Sequence, residues 1–361
     1  MFDMNHREDL WKTSSTRRGF LREASLGAAG LALGSSSAFA KTAAPADTGI
    51  SRVSFAAGTD RRAMIRQVLL PFEREIREGI RGKRVVIKPN LVWDSNPLCA
   101  THPDAVRGVL DFLKPFHKGT VIVAESTASP KGTPALFDDY GYRPLEKEYN
   151  ARLADLNADR YRVEWIRADN GFPLDIKIID TFLDPDNYII SLARMKTHDC
   201  VVATLTMKNM LMASPLNVVK GHPDYVQNQF EKAKMHQGGL LGINYNMFLM
   251  AGKVRPRLAI IDGVEGMEGN GPAGGTAVQH GVMLAGLDPV AVDRIGIELM
   301  GIEYTDIGYL QWCSNAGYGR GDRAKIQVVG ADDLSPHVRK YKLHDNIKSQ
   351  MEWKEGIAGK K

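Results

Sequence analysis

The run Arg84-Val85-Val86-Ile87-Lys88-Pro89-Asn90 reads as a buried strand cut off by a proline. Its apolar residues show no polar alternation, as expected of a parallel strand covered on both faces. Pro89 fixes its own φ and holds the residue before it extended, so Lys88 and Asn90 stand at the strand's carboxyl end. Downstream, apolar residues at helical spacing run over 103–116, and a second short apolar run covers 120–124. Strand, helix and strand in this order make a β-α-β unit.

The same alternation continues on both sides. A helix pattern over 61–80 places Ile65, Val68, Leu69, Phe72 and Ile76 on one face. Further strands are expected over 162–166, 188–192, 257–261, 282–285 and 325–329, and helices over 289–300 and 306–316. From 204 to 250 the pattern is helical in pieces, interrupted by Pro215, Pro223 and Gly238-Gly239. The fold class is therefore α/β: a mostly parallel or mixed sheet with helices on both faces, in one large domain that leaves room for a small inserted lobe.

In open α/β sheets ligands sit beyond the carboxyl ends of the strands, where loops and helix N-termini converge. Several of the expected strands end in chemically active residues. The first leads into Lys88 and Asn90, the second into Glu125-Ser126, the one over 188–192 into Lys196-Thr197-His198, and the one over 257–261 into Asp262. Lys208-Asn209 adds a cation and an amide early in a helical piece. Taken singly, each of these residues can simply begin a solvated loop; taken together they suit one cleft for an anion.

The segment from Asp262 to Gly275 is rich in glycine. Gly269, Gly271 and Gly274 formally satisfy G-x-G-x-x-G, but Pro272 lies inside the motif and no helix follows, so a dinucleotide site is rejected. What stands is a candidate anion-binding loop of Gly269, Asn270, Gly271 and Gly274 that presents Glu268, against the plain alternative of a surface turn. Asp288-Pro289 reads as a helix start, with Asp288 as cap. The histidines contain no H-E-x-x-H pair. His102, which opens a helix, His198 and His236 are candidates for proton transfer or metal binding. With Glu125 they form the candidate ligand set for a divalent metal, whose identity stays open. No serine lies in G-x-S-x-G, and Cys200 beside His198-Asp199 is a weak nucleophile candidate.

Cys99, Cys200 and Cys313 are far apart with no C-x-x-C, which argues against an intrinsic iron–sulfur cluster. Two of the three can pair in an oxidising compartment. The formal charge is +5 over 361 residues, with no basic block interleaved with aromatics, so nucleic acid is not an expected partner.

At the N-terminus, Thr16-Arg17-Arg18-Gly19-Phe20-Leu21-Arg22 precedes a mild apolar stretch that closes on Ala38-Phe39-Ala40. That is the order of an export leader, and the arginine pair followed by Phe-Leu resembles the twin-arginine consensus. The stretch is broken by Gly34 and serines and falls short of the ~20 apolar residues of a membrane span. The expected organisation is a leader over 1–40, an N-terminal strand and helix over 41–82, an α/β core over 83–330 and a C-terminal tail over 331–361 that ends in solvated lysines. Export places the mature chain in the periplasm or beyond, with the twin-arginine translocase as a transient partner.

Several of these residues also form an ordered motif set: Ile87-Lys88-Pro89-Asn90, Thr101-His102-Pro103, Ala124-Glu125-Ser126, Met195-Lys196-Thr197-His198, Thr206-Met207-Lys208-Asn209, the glycine-rich segment, and Ala285-Gly286-Leu287-Asp288-Pro289 through Asp293. The set resembles the bacterial and archaeal domain-of-unknown-function family 362 over about residues 83 to 330. The resemblance implies no assigned activity. Some relatives carry ferredoxin-type cysteine clusters, which this chain lacks. Three functions stay open from the sequence: an enzyme acting on a small phosphate- or carboxylate-bearing molecule, a ligand-binding or accessory protein without turnover, and a redox partner whose cofactor is loaded before export.

Overall fold

The computed structural model describes residues 49–94, 96–217 and 230–355. The leader over 1–40 and the terminal lysines fall outside them. From Gly49 onward the chain forms one compact unit.

Eleven strands are present among the described residues: β1 (Ser51–Ala57), β2 (Arg84–Lys88), β3 (Val121–Glu125), β4 (Ala151–Asp155), β5 (Tyr161–Arg167), β6 (Pro173–Ile179), β7 (Asn187–Thr197), β8 (Ala203–Thr204), β9 (Leu258–Glu268), β10 (Thr276–Gly286) and β11 (Ile326–Val329). Nine form one sheet in the order β11-β1-β10-β9-β7-β2-β3-β4, with β8 paired to β7. Parallel pairing joins β11 to β1 and runs through β9, β7, β2, β3 and β4, while β10 and β8 run against their neighbours. The sheet is thus mixed and mostly parallel, as expected. The expected strand over 162–166 lies outside it, in a two-stranded ribbon with β6.

Both faces of the sheet are covered, and residues of one strand alternate between the two cores. Val85 and Ile87 pack with the helices Arg61–Leu69, Pro103–Leu113 and Thr133–Asp139, whereas Val86 points to the core that includes the helices Thr206–Leu211, Gly239–Ala251 and Pro289–Leu299. Each fully buried Ile or Val contributes about 1.5–3 kcal/mol relative to an exposed one.

The helix expected over 61–80 is divided. Pro71 has no N–H and crowds the carbonyl four residues back. A turn, Leu70–Phe72, accordingly separates Arg61–Leu69 from Glu73–Gly79. Capping follows the sequence elsewhere: Asp288 Oδ1 accepts from the Val290 and Ala291 amides, and His102 Nδ1 from the Asp104 amide.

Strand β7 positions the site. All of its residues are buried, and Ser191 lies opposite Lys88, so the strand runs on from Leu192 to Thr197 past the end of β2. Residues 331–355 are not a solvated tail: Tyr341, Gln350 and Trp353 are buried. Cys99, Cys200 and Cys313 are free thiols.

Candidate functional site

At the carboxyl edge of β2, β3 and β7 lies a pocket of about 50 Å³, lined by Lys88, Asn90, Glu125, Ser126, Lys196, Thr204, Lys208, Asn209, Lys232 and Pro272 among others. Glu125, ending β3, is the one carboxylate among its described lining residues. Its Oε2 accepts from Lys88 Nζ and from the Leu91 amide, each at 2.7 Å, and its Oε1 from the Ser126 amide at 2.8 Å. Lys88 Nζ also donates to the Pro89 carbonyl (2.6 Å) and to Asn209 Oδ1 (2.7 Å). Asn209 in turn donates to Ser191 Oγ, and Asn90 Nδ2 donates to Asn209 Oδ1. This chain of donors fixes both amides, and it leaves Asn90 Oδ1 buried with no partner among the described residues. The buried hydroxyl of Thr204 is likewise without one.

The other three lysines differ in how they are held. Lys232 Nζ reaches Ser126 Oγ and the carbonyls of Met212, Ala213 and Pro215 at 2.9–3.2 Å. Among the described residues Lys196 Nζ has one acceptor, the Cys99 carbonyl at 3.1 Å. Lys208 makes no hydrogen bond or ion pair among the described residues, although only 6% of it is exposed. Burial disfavours the charged form of all four. It lowers Lys88 against the opposing pull of Glu125, brings Lys196 and Lys232 down to about 7, and brings Lys208 down to about 8.

Lys208 and Asn209 owe their position to a group outside the pocket. The fully buried carboxylate of Asp293 accepts from the Thr206 amide (2.9 Å), the Thr206 hydroxyl (2.5 Å) and the Met207 amide (2.9 Å). It thereby caps the short helix Thr206–Leu211 from another element, satisfying N–H groups that have no partner inside the helix. Burial raises the Asp293 carboxyl to about 7 despite these donors.

Of the residues the sequence grouped, Lys88, Asn90, Glu125, Ser126, Lys196, Lys208 and Asn209 line the pocket; Asp262, His102, His198, His236 and Glu268 do not. Asp262 is buried in an ion pair with Arg61 (3.0 Å) within a neighbouring polar cluster. There Arg194 donates to Glu265 and to the Pro97 carbonyl. His102 is half-buried beside that cluster, lowered first by burial and then by Arg61. His236 is exposed.

His198 is buried next to the pocket. Burial, reinforced by Lys208, pushes it down to about 3. His198, Asp199 and Cys200 place ligand-type atoms within 4.8 Å of one another. However, the His198 Nδ1 lone pair already accepts the Cys200 amide (3.0 Å), and the nearby Lys208 charge opposes a cation there. The set suits a metal poorly.

In the glycine-rich loop, the amides of Gly269, Gly271 and Gly274 donate to the carbonyls of Lys342, Gly269 and Asn270. These donors are engaged within the loop and with residues 342–345, where Glu268 accepts the Lys342 amide and Asn270 pairs with Asp345. The glycines serve close approach: a Cβ on Gly271 would stand 2.2 Å from the Thr197 carbonyl oxygen, and Gly269 has φ +76°. The loop's direct contribution to the pocket wall is Pro272.

Lys232 was not legible in the sequence. It follows no strand, and it reaches the pocket from the turn Glu231–Lys234. Thr204 likewise ends no expected strand; its one sign in the sequence is its place just ahead of the Lys208 motif.

Residues 85–298 match a family model described as "Domain of unknown function (DUF362)". Among curated proteins, the chain is similar to a thylakoid-associated protein of Synechocystis sp., 26% identical over 221 residues. That alignment covers 59% of this chain and 62% of the relative, so the chain spans less than two thirds of the relative's length. Among solved structures, one from Thermotoga maritima aligns over 57% of this chain and 51% of its own at 12% identity, with a TM-score of 0.31. All four pocket lysines fall inside the matched residues.

Proposed function

We propose, from the premise that this chain belongs to the DUF362 family, that its pocket takes a small, compact anion bearing phosphate or carboxylate, and that the protein is an enzyme acting on it. One observation carries the reading: Lys196 and Lys208 are buried in the same pocket, neither makes an ion pair among the described residues, and the pull of Asp199 on Lys208 does not offset its burial. An uncompensated buried charge costs several kcal/mol, so a site that keeps two such groups side by side is built for an anion that supplies the missing charge. The volume supports a compact ligand, since one water needs about 10–15 Å³ on this measure.

A binding or accessory role without turnover draws its support from the same small volume. Titration calorimetry of the mature chain with phosphate, sulfate and oxalate tests the pocket. At least one of the three is expected to bind, about tenfold or more weaker in Lys208→Met. Failure of all three to bind overturns the reading. Product formation from a panel of small phosphate and carboxylate compounds, followed by NMR, separates turnover from capture.

We also propose export through the twin-arginine route, supported by Arg17-Arg18, Phe20-Leu21 and Ala38-Phe39-Ala40. Replacing Arg17 and Arg18 by lysine is expected to leave uncleaved protein in the cytoplasm; undiminished export of that variant overturns the proposal.

A further inference from the structure

We propose that Lys196 is a nucleophile that forms an imine with the carbonyl carbon of a small 2-oxo acid whose carboxylate rests on Lys208. The inference rests on the anion-pocket reading above and specifies its substrate class.

The hydrogen bonds of the four lysines carry the argument. An ammonium group has three N–H donors. Lys88 gives them to three acceptors, and Lys232 has four within reach, so neither has a donor left over. Lys196 is fully buried with a single acceptor, the Cys99 carbonyl. A neutral amine, with one N–H on that carbonyl and its lone pair free, fits this environment better than an ammonium with two unmet donors.

Burial brings Lys196 down to about 7; Cys99 opposes the shift, while Lys208, Arg194 and Lys88 add to it. Desolvation together with an adjacent cation is the arrangement that activates lysines towards carbonyl groups. Lys208, which makes no hydrogen bond or ion pair among the described residues, is left to hold a carboxylate.

The step balances. The Lys196 lone pair adds to the carbonyl carbon while a proton passes from nitrogen to the former carbonyl oxygen, giving a carbinolamine. The hydroxyl then leaves as water, with one proton drawn from the pocket's ammonium groups, and the nitrogen lone pair closes the C=N bond. Asn90 Oδ1 is an acceptor suited to the carbinolamine hydroxyl, and the Thr204 hydroxyl is a donor suited to the carboxylate; both lack partners among the described residues and both residues line the pocket. The iminium is an electron sink for carbon 3, on the side away from the carboxylate, so the reaction class is proton loss at carbon 3, or carbon dioxide loss there when that carbon bears a second carboxylate.

The test is reductive trapping. The mature wild-type protein is incubated with pyruvate or glyoxylate and borohydride, weighed intact and peptide-mapped, with oxalate as a competitor that carries no ketone or aldehyde carbonyl. The expected result is one reduced adduct per chain, at Lys196, suppressed by oxalate, absent in Lys196→Arg and at least tenfold slower in Lys208→Met. Mapping on the wild type keeps the test independent of how the variants fold. Oxalate binding without an adduct overturns the imine and leaves the anion pocket standing; neither binding nor adduct overturns both. An adduct on Lys208, or spread over surface lysines, overturns the assignment to Lys196.

Discussion

Glu125 accepts from Lys88 and from the Leu91 and Ser126 amides at once, with 2% of its surface exposed. Removing one partner of a buried ion pair leaves the other charge uncompensated, so Glu125→Gln is expected to cost about 3–5 kcal/mol in denaturant unfolding. Combining it with Lys88→Met is expected to recover a large part of that loss; strict additivity of the two single losses would show that the pair does not act as a unit. The partnerless lysines give a different signature. In the empty pocket Lys196 and Lys208 hold their protons below about 7 and about 8. An anion binds the charged forms and raises both values, so affinity for sulfate, which stays a dianion throughout, is full below this window and falls as pH rises through it. A loss of at least tenfold between pH 7 and 9 is expected, by the share of Lys208 that deprotonates, with proton uptake on binding measurable in buffers of different ionisation enthalpy. Flat affinity over this range would remove the two lysines from the anion's contacts. The pocket residues that could be read from sequence are those at strand ends or in their own motif, Lys88, Asn90, Glu125, Ser126, Lys196, Lys208 and Asn209. Asp262 obeyed the same rule yet joined the Arg61–Arg194 cluster, because strand-end position fixes the edge of the sheet but not which loop a side chain meets.

The helix Thr206–Leu211 is too short to hold itself together, since its first turn leaves amides that nothing within it can satisfy. Asp293, on the helix Pro289–Leu299, does this from outside. Asp293→Ala strands two amides and a hydroxyl in the core and is expected to cost about 3 kcal/mol, at roughly 1 kcal/mol or more per buried unsatisfied group. It should also weaken sulfate binding, because Lys208 and Asn209 ride on that helix. A variant that loses stability but keeps full affinity would show that the pocket does not depend on this cap. Elements built on a periodic or unbroken apolar pattern were legible: β2, β7, β9 and β10 contain their expected cores, and the helices at 103 and 289 begin where His102, Asp288 and the prolines place them. What escaped was pairing. Tyr161–Arg167 has the composition of a sheet strand, but its partner is Pro173–Ile179 across a short turn, and the two make a ribbon of their own.

At the scale of the whole chain, the segment after residue 330 returns to the middle of the sheet. Gln350 is fully buried; its Nε2 donates to the His198 carbonyl (2.9 Å) and its Oε1 accepts the Val202 amide (2.7 Å). Val202 sits at φ 65°, a conformation that costs a β-branched residue about 1–3 kcal/mol and persists only where its surroundings hold it. The loop from His198 to Val202, which borders Lys208, is therefore held by a side chain from the far end of the sequence, a contact that no local pattern in either segment announces. Gln350→Ala removes both bonds, and by the cost of stranding a buried donor and acceptor it should lower stability by about 2–4 kcal/mol. The effect should be local first: amide exchange at Val202 should accelerate in native conditions more than exchange in β2 or β9, and sulfate affinity should fall with it. If Val202 exchanges no faster relative to the sheet than in the wild type, the loop is held by its own packing, and the C-terminal segment only adds to global stability.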